Sequence, residues 1–213
     1  MQQNLLRFQD KQKYFLFDLE TCHLNLNSTD NKPWQIGYIL GEGKNIIDMK
    51  AHMIKWDELN ITEGAARVTH FNRDNYLSRA VDPILILDEI EQYIYNDEYI
   101  ILGHNILGFD VYIHNIWRKL LGRKTDYSYI SRCLDTNALA KSIKLNRNLG
   151  KNENLTAFQY RLLDHKEKGL KTNLTVLGKE YGIDFDPEKL HDAGNDVDLN
   201  WKIWNKMVWQ LEI

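Results

Sequence analysis

The sequence predicts an α/β or α+β domain built on one mixed sheet. Three observations carry this. Strand-like segments fill the first third of the chain, helices of amphipathic period follow, and one further short apolar run, read as a buried strand, lies between two of those helices. No internal repeat or low-complexity linker interrupts the pattern, so the 213 residues read as one domain, and 43% hydrophobic content is ample for its core.

The elements follow in order. "KYFLFDLE", "PWQIGYILGE" and "NIIDMKAHMIKW" are separated by Asn, Asp, Gly and Lys clusters that suit turns, which predicts a β-meander. "TEGAARVT" and "NRDNYLSRA" are short helices. "PILILDEIEQYIYN" carries apolar residues at helical spacing behind Asp82-Pro83, a good helix start. "EYIILGHN" is the buried strand with its turn. "FDVYIHNIWRKLLG" repeats Val111, Ile113, Ile116, Trp117, Leu120 and Leu121 on a helical period and closes on Gly122. "DTNALAKSIK" and "NLTVLGKEYG" are further capped helices. A last helix runs from about Asp192 with Trp201, Trp204, Val208 and Leu211 on one stripe, expected to pack in the core.

A formal net charge of -3 argues against a generally basic nucleic-acid coat. One segment departs from the average. Lys141, Lys144, Arg147, Lys151, Arg161, Lys166, Lys168 and Lys171 face only Glu153, Asp164 and Glu167. It reads either as a solvated helix face with a loop or as a guide for phosphates. No run reaches the roughly 18 apolar residues of a membrane span, and the first residues lack a signal peptide's layout, so a soluble, intracellular, cytoplasmic protein is expected. Cys22 and Cys133 read as ordinary reduced thiols.

The acids carry the chemistry. Side chains alternate along a strand, so Asp18 and Glu20 point the same way while Leu19 enters the opposite layer. Two carboxylates about 4 Å apart repel by roughly 4 kcal/mol at an effective dielectric near 20. They either diverge into water or bind a cation. Asp110 opens a helix just after the buried strand, where ligand chemistry gathers in open α/β sheets. His191 precedes the last helix and Asp196 lies five residues on, so one cleft can receive both.

Together "FDLET", "GHNILGFD" and "HDAGNDVD" resemble the three motifs of the DnaQ-like (DEDDh) 3′-to-5′ exonucleases. "PWQIGYILGE" resembles that family's second strand, and "CLDTNALAKSI" its strand-to-helix step before the last third. The resemblance spans about Lys13 to Met207. It implies an RNase H-like mixed sheet of about five strands, one antiparallel, flanked by helices. The single domain would then cover 1–213, with 1–12 as an N-terminal extension. By the same resemblance Asp18, Glu20, Asp110 and Asp196 hold two divalent cations, Mg²⁺ or Mn²⁺, and His191 is the general base. His104 is the rival base, although packing or hydrogen bonding is the commoner role for such a residue. Hard oxygen donors without a Cys or His cluster agree with Mg²⁺ or Mn²⁺ rather than Zn²⁺. Two such ions activate a water and stabilise the leaving oxygen in phosphodiester hydrolysis. Thr21, Leu24 and Phe109 would contact the terminal nucleotide.

The implied function is release of nucleoside 5′-monophosphates from the 3′ end of single-stranded or frayed DNA, in proofreading or DNA turnover, with a DNA polymerase as a compatible partner. RNA trimming and a non-catalytic nucleic-acid-binding module are the alternatives. Two segments depart from the family pattern. His23 stands where the family has glycine, which is expected to restrict the loop at Leu24. Thr69, His70, Phe71 and Asn72 replace a His-Gly-Ile-Thr run. Gly194 and Asn195, poor helix formers, predict a mobile start to the last helix.

Overall fold

A computed structural model describes residues 5–213. Five strands, β1 (Lys13–Thr21), β2 (Pro33–Glu42), β3 (Asn45–Met53), β4 (Tyr99–Gly103) and β5 (Cys133–Asp135), form one open sheet in the order β3-β2-β1-β4-β5. β1 pairs antiparallel with β2 and parallel with β4, β2 pairs antiparallel with β3, and β4 pairs parallel with β5. β2 alone therefore runs against the other four, as expected. Parallel neighbours need long crossovers, which helices supply. α1 (Glu63–Val68), α2 (Arg73–Arg79) and α3 (Pro83–Ile94) lead to β4, and α4 (Asp110–Leu120) leads to β5. α5 (Thr136–Lys144), α6 (Leu155–Asp164), α7 (Leu174–Glu180) and α8 (Ala193–Met207) follow.

Alternation along β1 sorts the core into two layers. Phe15, Phe17 and Leu19 pack with Ile86 and Ile90 of α3 and Ile113 and Trp117 of α4. Tyr14 and Leu16 face the other way, toward Trp201, Trp204 and Met207 of α8. Both indoles meet Tyr14 edge-on at 5.8 Å, so the tryptophan stripe is core. Burying each such large side chain contributes roughly 1.5–3 kcal/mol. Asp18 and Glu20 continue the Tyr14–Leu16 face beyond the apolar layer, on the side of α8.

Three local features differ from the sequence expectation. The third strand stops at Met53 rather than running to Trp56, because Ile54 bridges to Val81 and the Trp56 N–H donates to Tyr76 Oη at 2.8 Å. α6 lies in the segment read chiefly for its charge; Asn154 caps it by accepting from Ala157 N at 2.9 Å, and Phe158 and Leu162 bury its inner face. Of the expected N-terminal extension, 1–4 fall outside the described residues. A 3-10 turn at Leu6–Phe8 docks on the end of the chain, with Leu6 N–H donating to Ile213 O at 2.9 Å. Among the described residues no helix is long and apolar enough to cross a membrane.

The join between β2 and α8 fixes where the last helix starts. A Cβ on Gly37 would lie 2.1 Å from Ala193 O and 2.7 Å from Gly194 N, so only glycine lets the helix start sit on the strand. Gly37→Ala is expected to cost about 1–3 kcal/mol by overpacking against rigid backbone. Its thermal midpoint should fall by several degrees. An unchanged midpoint in a melting experiment would show that the helix start yields freely.

Candidate active site

β1 ends with Asp18 and Glu20 directed toward α8, and α4 and α8 bring their first turns to the same end of the sheet. Asp110, the first residue of α4, is buried, and its Oδ1 accepts from Leu19 N at 3.0 Å. Its position is set from β5. Asp135 Oδ1 accepts from Asn105 N (3.1 Å), Asn137 N (3.0 Å) and Ala138 N (3.1 Å), while Oδ2 accepts from Leu107 N (3.0 Å). One buried carboxylate thus caps α5 and shapes the loop leading into α4. Burial pushes Asp135 up to about 6 despite those four donors.

Asp196 lies in the first turn of α8, and both its carboxylate oxygens accept from His191 N at 3.2 Å. His191 has a left-handed backbone, φ 64°, which turns the chain back over the acid. Donor atoms of Glu20, His191 and Asp196 all lie within 4.8 Å of one another.

Burial and one another's charge raise the pKa of the acids. Burial, then Asp110, Asp196, Glu20 and Asp192, holds Asp18 well above the usual carboxylate range. Burial first, then Asp196 and Asp110, pushes Glu20 up to about 9. Burial raises Asp110 strongly, and burial followed by Asp192 raises Asp196 to about 7. Without a cation this end of the sheet therefore holds protons near neutral pH. Glu20, Asp196 and His191 are the donors close enough to share one cation; Asp18 and Asp110 lie at the same end of the sheet but outside that group, and oxygen donors of this kind fit hard divalent ions. His191 moves the other way, lowered by burial and by His70, so its ring is neutral near pH 7.

Beside the acids lies a cleft of about 540 Å³ whose lining includes Glu20, Thr21, Leu24, Phe109 and His191. Thr21 is buried, and its hydroxyl donates to His23 O at 2.7 Å. Leu24 is 83% exposed, while Phe109 is partly buried against the core. His23 does not adopt a left-handed backbone, so this loop does not need the family's glycine there. Instead its Nδ1 accepts from Asn25 N at 3.1 Å and its Nε2 lies 3.2 Å from Asp30. His70, by contrast, has φ 52°.

His104 stands apart from the acids. Its Nδ1 lies 3.0 Å from Thr136 Oγ1, which is 2.8 Å from Asn200 Oδ1, and burial lowers its pKa to about 4. This ring pins the end of β4 to α5 and α8.

Gln35 shapes the site without having been singled out in the sequence, and it acts through Asp192, the expected start of the last helix. Gln35 Nε2 donates to Asp192 Oδ2 at 2.7 Å, and Gln35 Oε1 accepts from Ala193 N at 3.3 Å. Asp192 caps α8 by accepting from Asn195 N at 3.2 Å. The expected mobility at Gly194 and Asn195 is thus opposed by a clamp from β2. A buried glutamine within the apolar run of "PWQIGYILGE" was the available signal. Of the basic segment, Lys141 donates to the carbonyls of Leu162, Leu163 and His165, Lys144 meets Lys171 O and Glu180, and Arg161 pairs with Glu153. Lys166, Lys168 and Lys171 remain on an exposed loop.

No family model matches the chain, and no curated protein does. Solved structures do. E. coli exonuclease I in complex with a dA16 oligonucleotide superposes with a TM-score of 0.72 at 17% identity, covering 92% of this chain and 40% of that one. The apo form of exonuclease I gives 0.71 at 18% identity, covering 95% and 43%. A complex of E. coli exonuclease I with a dT13 oligonucleotide gives 0.71 at 16%, covering 92% and 41%. The shared property is the fold, an RNase H-like α/β sheet flanked by helices. The chain spans about 40% of the length of those proteins.

Proposed function

We propose that this chain is a metal-dependent 3′-to-5′ exonuclease of the DnaQ-like type, with DNA as its favoured substrate. The observation that carries the reading is the grouping of Glu20 from the end of β1 with Asp196 and His191 from the start of α8, with Asp18 and Asp110 at the same end of the sheet raising the charge of that group. The fold shared with E. coli exonuclease I supports it.

Asp18, Glu20, Asp110 and Asp196 would hold two Mg²⁺ or Mn²⁺. Bound there, the ions offset the acids' charge, lower the pKa of an attacking water and stabilise charge leaving phosphorus. The chain's own residues do the rest. His191, at the mouth of the cleft, accepts the water's proton on a ring nitrogen, a role suited to an imidazole neutral at pH 7. Leu19 N–H fixes the Asp110 carboxylate, and the His191 N–H fixes Asp196. Thr21, Leu24 and Phe109 bound the space for the terminal nucleoside, where apolar contact suits any base. Lys166, Lys168 and Lys171 supply positive charge for the phosphates of the strand.

Hydrolysis of matched oligomers of DNA and RNA, labelled at the 5′ end so that shortening is read as a ladder, tests this. With Mg²⁺ or Mn²⁺ the DNA should shorten stepwise from its 3′ end and release nucleoside 5′-monophosphates, and EDTA should stop it. Degradation of RNA alone would assign the enzyme to RNA trimming. Absence of hydrolysis with either ion would leave a binding module. A proofreading role further requires a polymerase partner, which co-purification with a DNA polymerase would reveal.

A further inference from the structure

At the opposite end of the sheet from the acids, aromatic rings and cations form a second surface. Lys13 at the start of β1 pairs with Glu42 at the end of β2, so the turn at Gly43 and Lys44 lies at the far end of the central strand. α8 starts against Gly37 and reaches Gly41 with Trp201, so Lys202, Lys206 and the following Trp209 arrive at that same end. At about 3.3 Å per residue, the length of β1 separates this surface from Glu20 by about 25 Å.

Phe8 and Trp209 are 48% and 46% exposed, and they meet edge-to-face at 5.9 Å. Lys44 Nζ stands 4.6 Å from the Trp209 ring centroid. The Arg7 guanidinium lies 5.3 Å from the Phe8 ring and donates to the carbonyls of Trp209 (3.3 Å) and Leu211 (3.0 Å), which holds the two rings together. Next to them a shallow groove of about 650 Å³ is lined by Lys44, Lys202 and Lys206 together with the apolar side chains of Ile46, Ile183 and Trp201. Among the described residues Lys44 and Lys206 form no ion pair, while Lys202 pairs with Asp198 at 2.7 Å. A basic, aromatic patch on a chain of net charge -3 is a local departure from its average.

We propose that this face is a second contact for single-stranded polynucleotide, with Phe8 and Trp209 as stacking platforms and Lys44, Lys202 and Lys206 as phosphate contacts. The choice of ligand rests on the exonuclease reading above. Two features favour a polynucleotide over an acidic peptide. Half-exposed rings can stack on any base once the cation over each yields its place, and cations interleaved with them match a backbone carrying one charge per nucleotide. The Lys44 ammonium now covers the ring it would yield to a base, and it then meets the adjacent phosphate. A strand whose 3′ end lies at the acids would reach this face only if long enough to span the sheet.

Binding is measured by fluorescence anisotropy in EDTA, so that nothing is hydrolysed, with oligothymidylates of about four and about twenty nucleotides. The double substitution Lys44→Glu, Lys206→Glu should weaken the long oligomer at least about tenfold and reduce the slope of log affinity against log salt by about 1.4. Trp209→Ala should weaken it by about fivefold or more. The short oligomer should bind, and with Mg²⁺ be hydrolysed, as in the parent chain, which also reports an intact fold. Unchanged affinity for the long oligomer in both variants would overturn the proposal, as would poly-glutamate competing as well as oligothymidylate. Failure of the parent chain to hydrolyse any oligomer would overturn the exonuclease reading instead, and the binding comparison in EDTA decides this surface either way.

Discussion

Asp18→Asn is expected to abolish hydrolysis while raising the melting temperature of the metal-free protein. The two effects share one cause. Asp18 is half-buried beside Asp110, Asp196 and Glu20, and its carboxyl is raised well above the usual range by desolvation and by those acids. Wherever the folded carboxyl keeps a proton that the unfolded chain has released, that retention lowers the stability of the metal-free fold. Asparagine keeps the shape and removes the cost. It also removes an anionic donor from a site meant to carry cations, and losing several kcal/mol of transition-state stabilisation lowers the rate on the order of 10³-fold. Oligomer hydrolysis with Mg²⁺ and thermal melting in EDTA read the two halves separately. Parental turnover would remove Asp18 from the machinery. A lowered midpoint would mean that its carboxyl makes stabilising contacts that the amide cannot.

Much of this arrangement was legible in the sequence, for identifiable reasons. β1 could be read because period-two alternation places Phe15, Phe17 and Leu19 in one layer and Tyr14, Leu16, Asp18 and Glu20 in the other, as the packing confirms for the apolar members. The long helices α3, α4 and α8 declared themselves through apolar stripes and through Asp82, Gly122 and Asp192 at their ends. β5 has only three residues, too few for alternation to register, and only family resemblance pointed to it. α6 was obscured because the charges around it are conspicuous while Phe158 and Leu162, four apart, are its main buried apolar pair. The clamp of Gln35 on Asp192 joins residues 157 apart, and no local pattern encodes such a contact. Asp135 could be seen as a helix cap, but not that two of its four donors come from the loop that delivers Asp110.

The second large effect is a pH dependence of stability that divalent ions reverse. A carboxyl whose pKa is raised on folding keeps a proton that the unfolded chain loses, so it reduces stability as pH rises from its ordinary pKa to its folded one. Glu20 at about 9 and Asp196 at about 7 act in this way, with Asp18 and Asp110 in the same direction. Buried histidines have the opposite sign. His104, lowered from 6.5 to about 4, together with His114, makes the fold more stable as pH rises toward 6.5. Below 6.5 the two sets oppose each other. From 6.5 to about 8.5, where free thiols begin to ionise, the acids act nearly alone. In EDTA the melting temperature should therefore fall across that window, by about 1.4 kcal/mol of stability per pH unit for each proton retained. Ions that bind the ionised carboxylates reverse the preference, because only the folded chain assembles the site. At a concentration of one hundred times Kd they contribute about 2.7 kcal/mol. Scanning calorimetry at pH 6.5 and 8.5, in EDTA and in Mg²⁺ or Mn²⁺, measures both slopes. Metal-free stability that rises across this window, or a melting temperature indifferent to both ions, would mean that these acids meet without the mutual burial and repulsion that make the site a receptor for cations. Asp18→Asn should flatten the metal-free slope and shrink the gain from metal together, since one carboxyl is responsible for part of each.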